Sequence, residues 1–158
     1  VNAESLLIRI AEALAKEKLE AVMIGNAAAA IQGAPVTTVD IDFLFRKTPR
    51  NIQKLKGVAK LLGAQIFRPY YPQSGLYRLV NEDIGLQLDF LTQAHGINSF
   101  AGLRSRAQEF SIGEYQLRIA ALSDIIKSKR AAKRKRDEAV LEVLEKTAKL
   151  LERAKKGK

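Results

Sequence analysis

The chain has 158 residues, enough for one compact domain, or a domain with a helical tail, that buries a core without a disulfide or metal staple. Hydrophobic residues make up 47% and charged residues 28%, which excludes a largely disordered chain. With no cysteine and one histidine, His95, the sequence excludes thiolate catalysis, disulfides and multi-histidine zinc sites, and disfavours a Ser-His-Asp triad. Lys and Arg number 27 against 17 Asp and Glu, and the resulting net charge of +10 attracts polyanions, phosphates first. No apolar run approaches the ~20 residues of a membrane span. Val1-Asn2-Ala3-Glu4 shows no basic leader region, so the expectation is a cytoplasmic protein without membrane association.

Leu7, Ile10, Ala11 and Leu14 recur at helical spacing and predict an amphipathic first helix. Ala21 to Ile24 reads as a short buried strand. It runs into Gly25-Asn26 and the alanines 27–30, which favour helix until Gly33-Ala34-Pro35. Thr38 to Phe45, rich in β-branched and aromatic residues, predicts a second strand. Thr48 then caps a helix with Pro49 at its first position and Ile52, Leu55, Ala59 and Leu62 as its buried stripe. A strand over Ala64 to Arg68 is followed by a loop from Pro69 to Gly75. Leu76 to Val80 and Ile84 to Leu91 predict two strands joined by the polar turn Asn81-Glu82-Asp83. Ser99 caps a short helix through Ala107, and Glu109 to Ile112 and Tyr115 to Ala120 flank a Gly113-Glu114 hairpin turn.

Ser123 is expected to cap a helix running through Lys127 to Arg136, where seven of ten residues are basic. A solvated helix face is the plain alternative reading of that run. Val140, Leu144, Thr147 and Leu151 give a last helix its apolar stripe, before a frayed basic end at Lys155 to Lys158. No repeat or flexible linker interrupts the pattern. One α+β domain over residues 1–158 is expected, a sheet-containing core in 1–121 followed by a basic helical part in 122–158.

Asp40 and Asp42 lie two apart on the predicted strand, so alternation points both carboxylates to one face, opposite Val39, Ile41 and Phe43. Two carboxylates roughly 7 Å apart along a strand repel, and a hard cation such as Mg²⁺ removes that cost. An acidic strand face turned to solvent is the alternative. Asp89 sits amid apolar neighbours in Leu86 to Leu91, which is expensive without a partner. Gly25-Asn26, between a strand and an alanine-rich helix, permits close backbone approach to a phosphate.

The order Ile24-Gly25-Asn26, then Thr38-Val39-Asp40-Ile41-Asp42, then Asp89 resembles the nucleotidyltransferase superfamily of the DNA polymerase β type. The run Asp124 to Ala132, with Lys129, Arg134 and Asp137, is similar to small bacterial nucleotidyltransferase-like proteins related to abortive-infection toxins. The resemblance covers roughly residues 19–145. It implies a nucleotidyltransferase-like mixed sheet flanked by helices, with Asp40, Asp42 and Asp89 as catalytic, metal-binding carboxylates for two Mg²⁺ ions, or Mn²⁺. It also implies nucleotide binding by Gly25, Asn26, Lys129 and Arg134, with Asp137 matching a late acidic position. Asn26 stands where the family usually has Gly or Ser, and Val36 where it commonly has Arg.

The expected activity is therefore Mg²⁺-dependent transfer of a nucleoside monophosphate from a nucleoside triphosphate to a macromolecular acceptor, RNA and in particular tRNA. The alternatives are a catalytically degenerate nucleic-acid-binding module and an interaction subunit with a cognate antitoxin. Tyr70, Tyr71 and Tyr77 are open to base stacking or to ordinary loop packing, and His95 reads as a surface residue.

Overall fold

The computed structural model describes residues 3–36, 40–69 and 75–157. The expected strand start at Thr38-Val39 and the loop residues Tyr70 and Tyr71 lie outside them. In chain order the elements are α1 (Ala3–Glu17), β1 (Val22–Ile24), α2 (Gly25–Ile31), β2 (Ile41–Leu44), α3 (Pro49–Leu61), β3 (Gln65–Phe67), β4 (Leu76–Asn81) and β5 (Leu86–Leu91). Then follow α4 (Phe100–Arg106), β6 (Gln108–Ile112), β7 (Tyr115–Ile119), α5 (Leu122–Ala132) and α6 (Glu138–Lys156). The strands form one seven-stranded mixed sheet in the order β3-β4-β5-β2-β1-β7-β6. At its centre β1 is antiparallel to β2, while β2 runs parallel to β5 and β1 parallel to β7.

Register sorts the central residues into rows. Met23 pairs with Phe43, Phe43 with Phe90, and Phe90 with Tyr77. Side chains paired across strands share a face, and this row is the aromatic centre of the core. The Phe43 and Phe90 rings stack at 5.2 Å, and Phe45 meets Tyr77 and Phe90 edge-on at 5.8 and 5.9 Å. Phe43, Phe45 and Phe90 are fully buried, each worth roughly 2–3 kcal/mol of apolar burial. Tyr77 is buried beside Phe45 and covered by the Arg68 guanidinium at 3.8 Å from its ring centre, so it packs and is closed to a base.

The expected punctuation holds at several places. Thr48 Oγ1 accepts from the Asn51 N–H with Pro49 opening α3, and Ser99 Oγ accepts from the Gly102 N–H at the start of α4. Gly113 takes φ +61° in the β6–β7 turn, where Ile112 pairs with Tyr115.

The C-terminal part differs from expectation. Ser123 is exposed and does not cap α5; Ala121 does, its carbonyl accepting from the N–H groups of Asp124 and Ile125. Nor does one helix carry the basic run. It ends at Ala132 because Lys133 turns left-handed, with φ +52°, a conformation costing about 1–2 kcal/mol. A short 3-10 turn at Lys135–Asp137 then starts α6, which packs back on α5. Leu144 and Thr147 are buried on α6, but Leu151 is 40% exposed, so the expected apolar stripe stops short.

Candidate active site

A second register row crosses the sheet beside the aromatic one. Ile24 pairs with Asp42, Asp42 with Asp89, and Asp89 with Arg78. Parallel pairing of β2 with β5 places two carboxylates side by side, and Arg78 on the antiparallel neighbour β4 answers the second. Its Nε donates to Asp89 Oδ1 at 2.8 Å and its Nη2 to Oδ2 at 3.0 Å. Asp89 thus has the partner that its apolar setting demands.

Among the described residues, Asp42 has no such fork. Burial, then the negative charges of Asp89 and Asp40, push its carboxyl up to about 6, against weaker opposing pulls from Arg78 and Lys129. Asp40 lies just before β2 and is exposed. β2 begins at Ile41, so the Asp-x-Asp pair straddles the strand's start instead of lying wholly within it.

Gly25 ends the β1–α2 junction at φ +74°, and a Cβ there would lie 3.2 Å from Asp42 Oδ2. Glycine both permits that backbone turn and leaves the carboxylate its room. Asn26, next in α2, carries a buried Oδ1 with no hydrogen-bond partner among the described residues. An unpaired buried acceptor costs about 1–3 kcal/mol until a donor arrives. That oxygen suits a hydroxyl, an N–H or a cation, and phosphate contact would fall to the amide nitrogen. Val36, where the resemblance has Arg, packs half-buried against the core.

Gly25 and Asp42 form part of the wall of a cleft of about 710 Å³, which Lys129 and Arg134 also line. Asp40 and Asp89 stand beside Asp42 but do not line the cleft. Lys129 is buried, not on a solvated face, with its Nζ 3.5 Å from Asp137 Oδ1. Arg134 Nε donates to Asp137 Oδ2 at 2.8 Å. Burial pushes the Asp137 carboxyl up, but the Arg134 hydrogen bond and the charges of Lys129 and Arg134 outweigh it and hold it below the usual range. Asp137 therefore aims two cations at the cleft. The break at Lys133 makes this geometry possible, because it folds residue 137 back toward residue 129.

Three cleft-lining residues, Asp124, Thr92 and Gln93, receive no role from the sequence. Asp124, buried near the start of α5, accepts from Arg106 Nε at 2.8 Å. Thr92 and Gln93 extend the lining beyond β5, with exposed His95 at the rim. Asp124 opens the run that carries the resemblance, but no spacing announces its pairing with Arg106, and polar residues past a strand carry no such signal either.

Among the described residues, no three carboxylate or imidazole side chains converge closely enough to hold a metal ion. The donor chemistry nevertheless fits a divalent ion. The carboxylates are neighbouring, oxygen-only ligands, and the raised Asp42 marks a repulsion that a cation relieves. This suits Mg²⁺ held by one or two carboxylates with phosphate oxygens completing its shell, rather than a cage built from protein alone.

The architecture matches solved nucleotidyltransferase structures. The antibiotic-resistance factor ANT(2'')-Ia, in complex with adenylyl-2''-tobramycin, aligns over 94% of this chain and 88% of its own, with TM-score 0.64 and 17% identity. The lincosamide antibiotic adenylyltransferase LnuA, lincomycin-bound, aligns over 92% and 97%, with TM-score 0.63 and 16% identity. An antigenic nucleotidyltransferase-like protein from Paracoccidioides brasiliensis aligns over 93% and 75%, with TM-score 0.59 and 14% identity. No family model and no curated protein sequence matches the chain. The likeness establishes the fold: an α+β nucleotidyltransferase fold with a mixed sheet and a helical C-terminal part.

Proposed function

We propose that this protein transfers a nucleoside monophosphate from a nucleoside triphosphate to a hydroxyl of an RNA acceptor, tRNA being the first to test. The observation that carries the reading is the cleft itself, with Gly25 at the β1–α2 junction, Asp42 on the sheet, and Lys129 and Arg134 among its other lining residues. The acceptor oxygen forms a bond to the α-phosphorus, the bond to the leaving pyrophosphate breaks, and the acceptor's proton passes to a carboxylate or water. Lys129 and Arg134 place positive charge where the phosphates gain negative charge, already oriented by Asp137. Gly25 lets the backbone approach the triphosphate, and Asn26 offers its amide. Asp42 and Asp89, with Asp40 beside them, would hold Mg²⁺, which when bound supplies Lewis-acid stabilisation of the phosphoryl oxygens.

RNA is favoured by charge. Lys127, Lys133, Lys135 and Arg136 are exposed around the end of α5, in excess of what one nucleotide requires. A small-molecule acceptor is the second reading, supported by a cleft volume in the usual range for drug-sized ligands. Incubation with each α-labelled nucleoside triphosphate, Mg²⁺ and total RNA tests the proposal. Label should appear in RNA and vanish with Asp42→Asn. Label entering only small acceptors supports the second reading. RNA retained without label points to a non-catalytic nucleic-acid-binding module, and neither label nor retention sinks the proposal.

A further inference from the structure

Arg78 interrupts β4 between two core residues, Tyr77 and Leu79, so it stands on the opposite face, the face of Asp42 and Asp89. Both of its hydrogen bonds go to one carboxylate, one to each oxygen. Asp89 is mostly buried there, while Arg78 keeps 37% of its side-chain exposure. The guanidinium is also within electrostatic reach of Asp40 and Asp42, whose charges, with Asp89's, favour its charged form. Lys129 does not serve this trio in the same way, because its amino group lies against Asp137.

We propose that Arg78 is an internal counter-cation that occupies Asp89 and keeps the carboxylates from binding a free divalent ion, so that the ion enters together with the nucleoside triphosphate. This rests on the reading of Asp42 and Asp89 as the seat of a metal–nucleotide complex. A divalent ion ligating Asp89 sits at about 2.1 Å from a carboxylate oxygen. The guanidinium must then give up or share a bond, and it repels the ion across a short distance. A bound triphosphate changes both costs, since its negative charge screens the repulsion and its oxygens offer Arg78 new acceptors. Arg78 thereby makes metal and nucleotide binding mutually dependent. A residue that merely clamped β4 to β5 would affect stability alone.

Calorimetric titration with MnCl₂, with and without a non-hydrolysable nucleoside triphosphate, separates these roles in the parent, Arg78→Gln and Arg78→Lys. Melting curves in each condition confirm folding. The parent should bind Mn²⁺ weakly alone and about tenfold or more tightly with nucleotide. Arg78→Gln should bind Mn²⁺ alone about tenfold more tightly than the parent, with little further gain from nucleotide. Arg78→Lys, keeping the charge but only one bond at a time, should fall between, and it decides the matter should the glutamine variant not fold. Equal or weaker Mn²⁺ affinity in the variants, with nucleotide enhancement intact, overturns this proposal and leaves the metal–nucleotide site standing. No Mn²⁺ binding in any protein under either condition overturns both.

Discussion

Replacing Asp42 with Asn should make the protein more stable and inactive. The carboxyl is held at about 6 by burial and by the charges of Asp89 and Asp40, against an ordinary value of 3.8. Between those two pH values the folded state binds more protons than the unfolded state, so this group's contribution falls as pH rises. Well below pH 3.8 Asp42 is neutral in both states and costs nothing electrostatically. Above pH 6 its ionisation works against folding by about 3 kcal/mol, at about 1.36 kcal/mol for each pH decade. Asn is near in shape and carries no charge to titrate. The gap between Asp42→Asn and the parent should therefore open from about 0.5 kcal/mol at pH 4 to about 3 kcal/mol at pH 8. For a chain of this size that is a rise of roughly 6–12 °C in melting temperature. Urea titrations at pH 4, 5, 6, 7 and 8 measure the gap directly. A pH-independent difference, or a variant less stable than the parent at pH 8, would refute the electrostatic account of this site. Transfer activity should be lost in the same variant, the usual trade between a strained functional group and stability.

Lys129→Ala should lower stability by about 1–3 kcal/mol, because it strips a buried partner from Asp137 while Arg134 remains, and it should weaken triphosphate binding; denaturation with parallel nucleotide titration checks both. Gly25→Ala should cost about 1–3 kcal/mol from the left-handed backbone alone, and its Cβ would crowd Asp42, so loss of nucleotide binding should exceed loss of stability in matched assays. Charge reversal at Lys127, Lys133 and Arg136 together, all exposed and outside the Asp137 clamp, should weaken RNA binding at low salt and reduce its log–log salt slope by about 3, leaving triphosphate affinity intact in fluorescence titrations. An unchanged slope would return these residues to a merely solvated surface.

The α+β character was legible because local chemistry set it. The Thr48-Pro49 start, the Ser99 cap, the Gly113-Glu114 turn and the alternation of Leu86 to Leu91 each act over a few residues. Asp42 and Asp89 stood out as charges among apolar strand positions. That they are direct neighbours depends on β2 pairing in parallel with β5 past the β3–β4 excursion, a long-range choice absent from local spacing. Arg78 could have been read: Leu76 to Asn81 and Leu86 to Leu91 flank a short turn, and antiparallel pairing about that turn sets Arg78 opposite Asp89. The buried state of Lys129 could not. A lysine in a run of seven basic residues looks solvated, and only the left-handed turn at Lys133, with no glycine or proline to announce it, returns Asp137 to meet it. Tyr77, open in the sequence to base stacking or to ordinary packing, takes the second because Phe45 and Arg68 close over it from distant positions.

The central claim is that one cleft receives a triphosphate between the Gly25–Asp42 wall and the Asp137-anchored cations. A crystal structure with Mg²⁺ and a non-hydrolysable nucleoside triphosphate tests it most directly. The account predicts phosphate oxygens beside the Gly25 backbone and within hydrogen-bond reach of Lys129 or Arg134, with density for an ion at Asp42. A triphosphate bound elsewhere on the protein, with Asp42 and Lys129 untouched at saturating nucleotide, would contradict it.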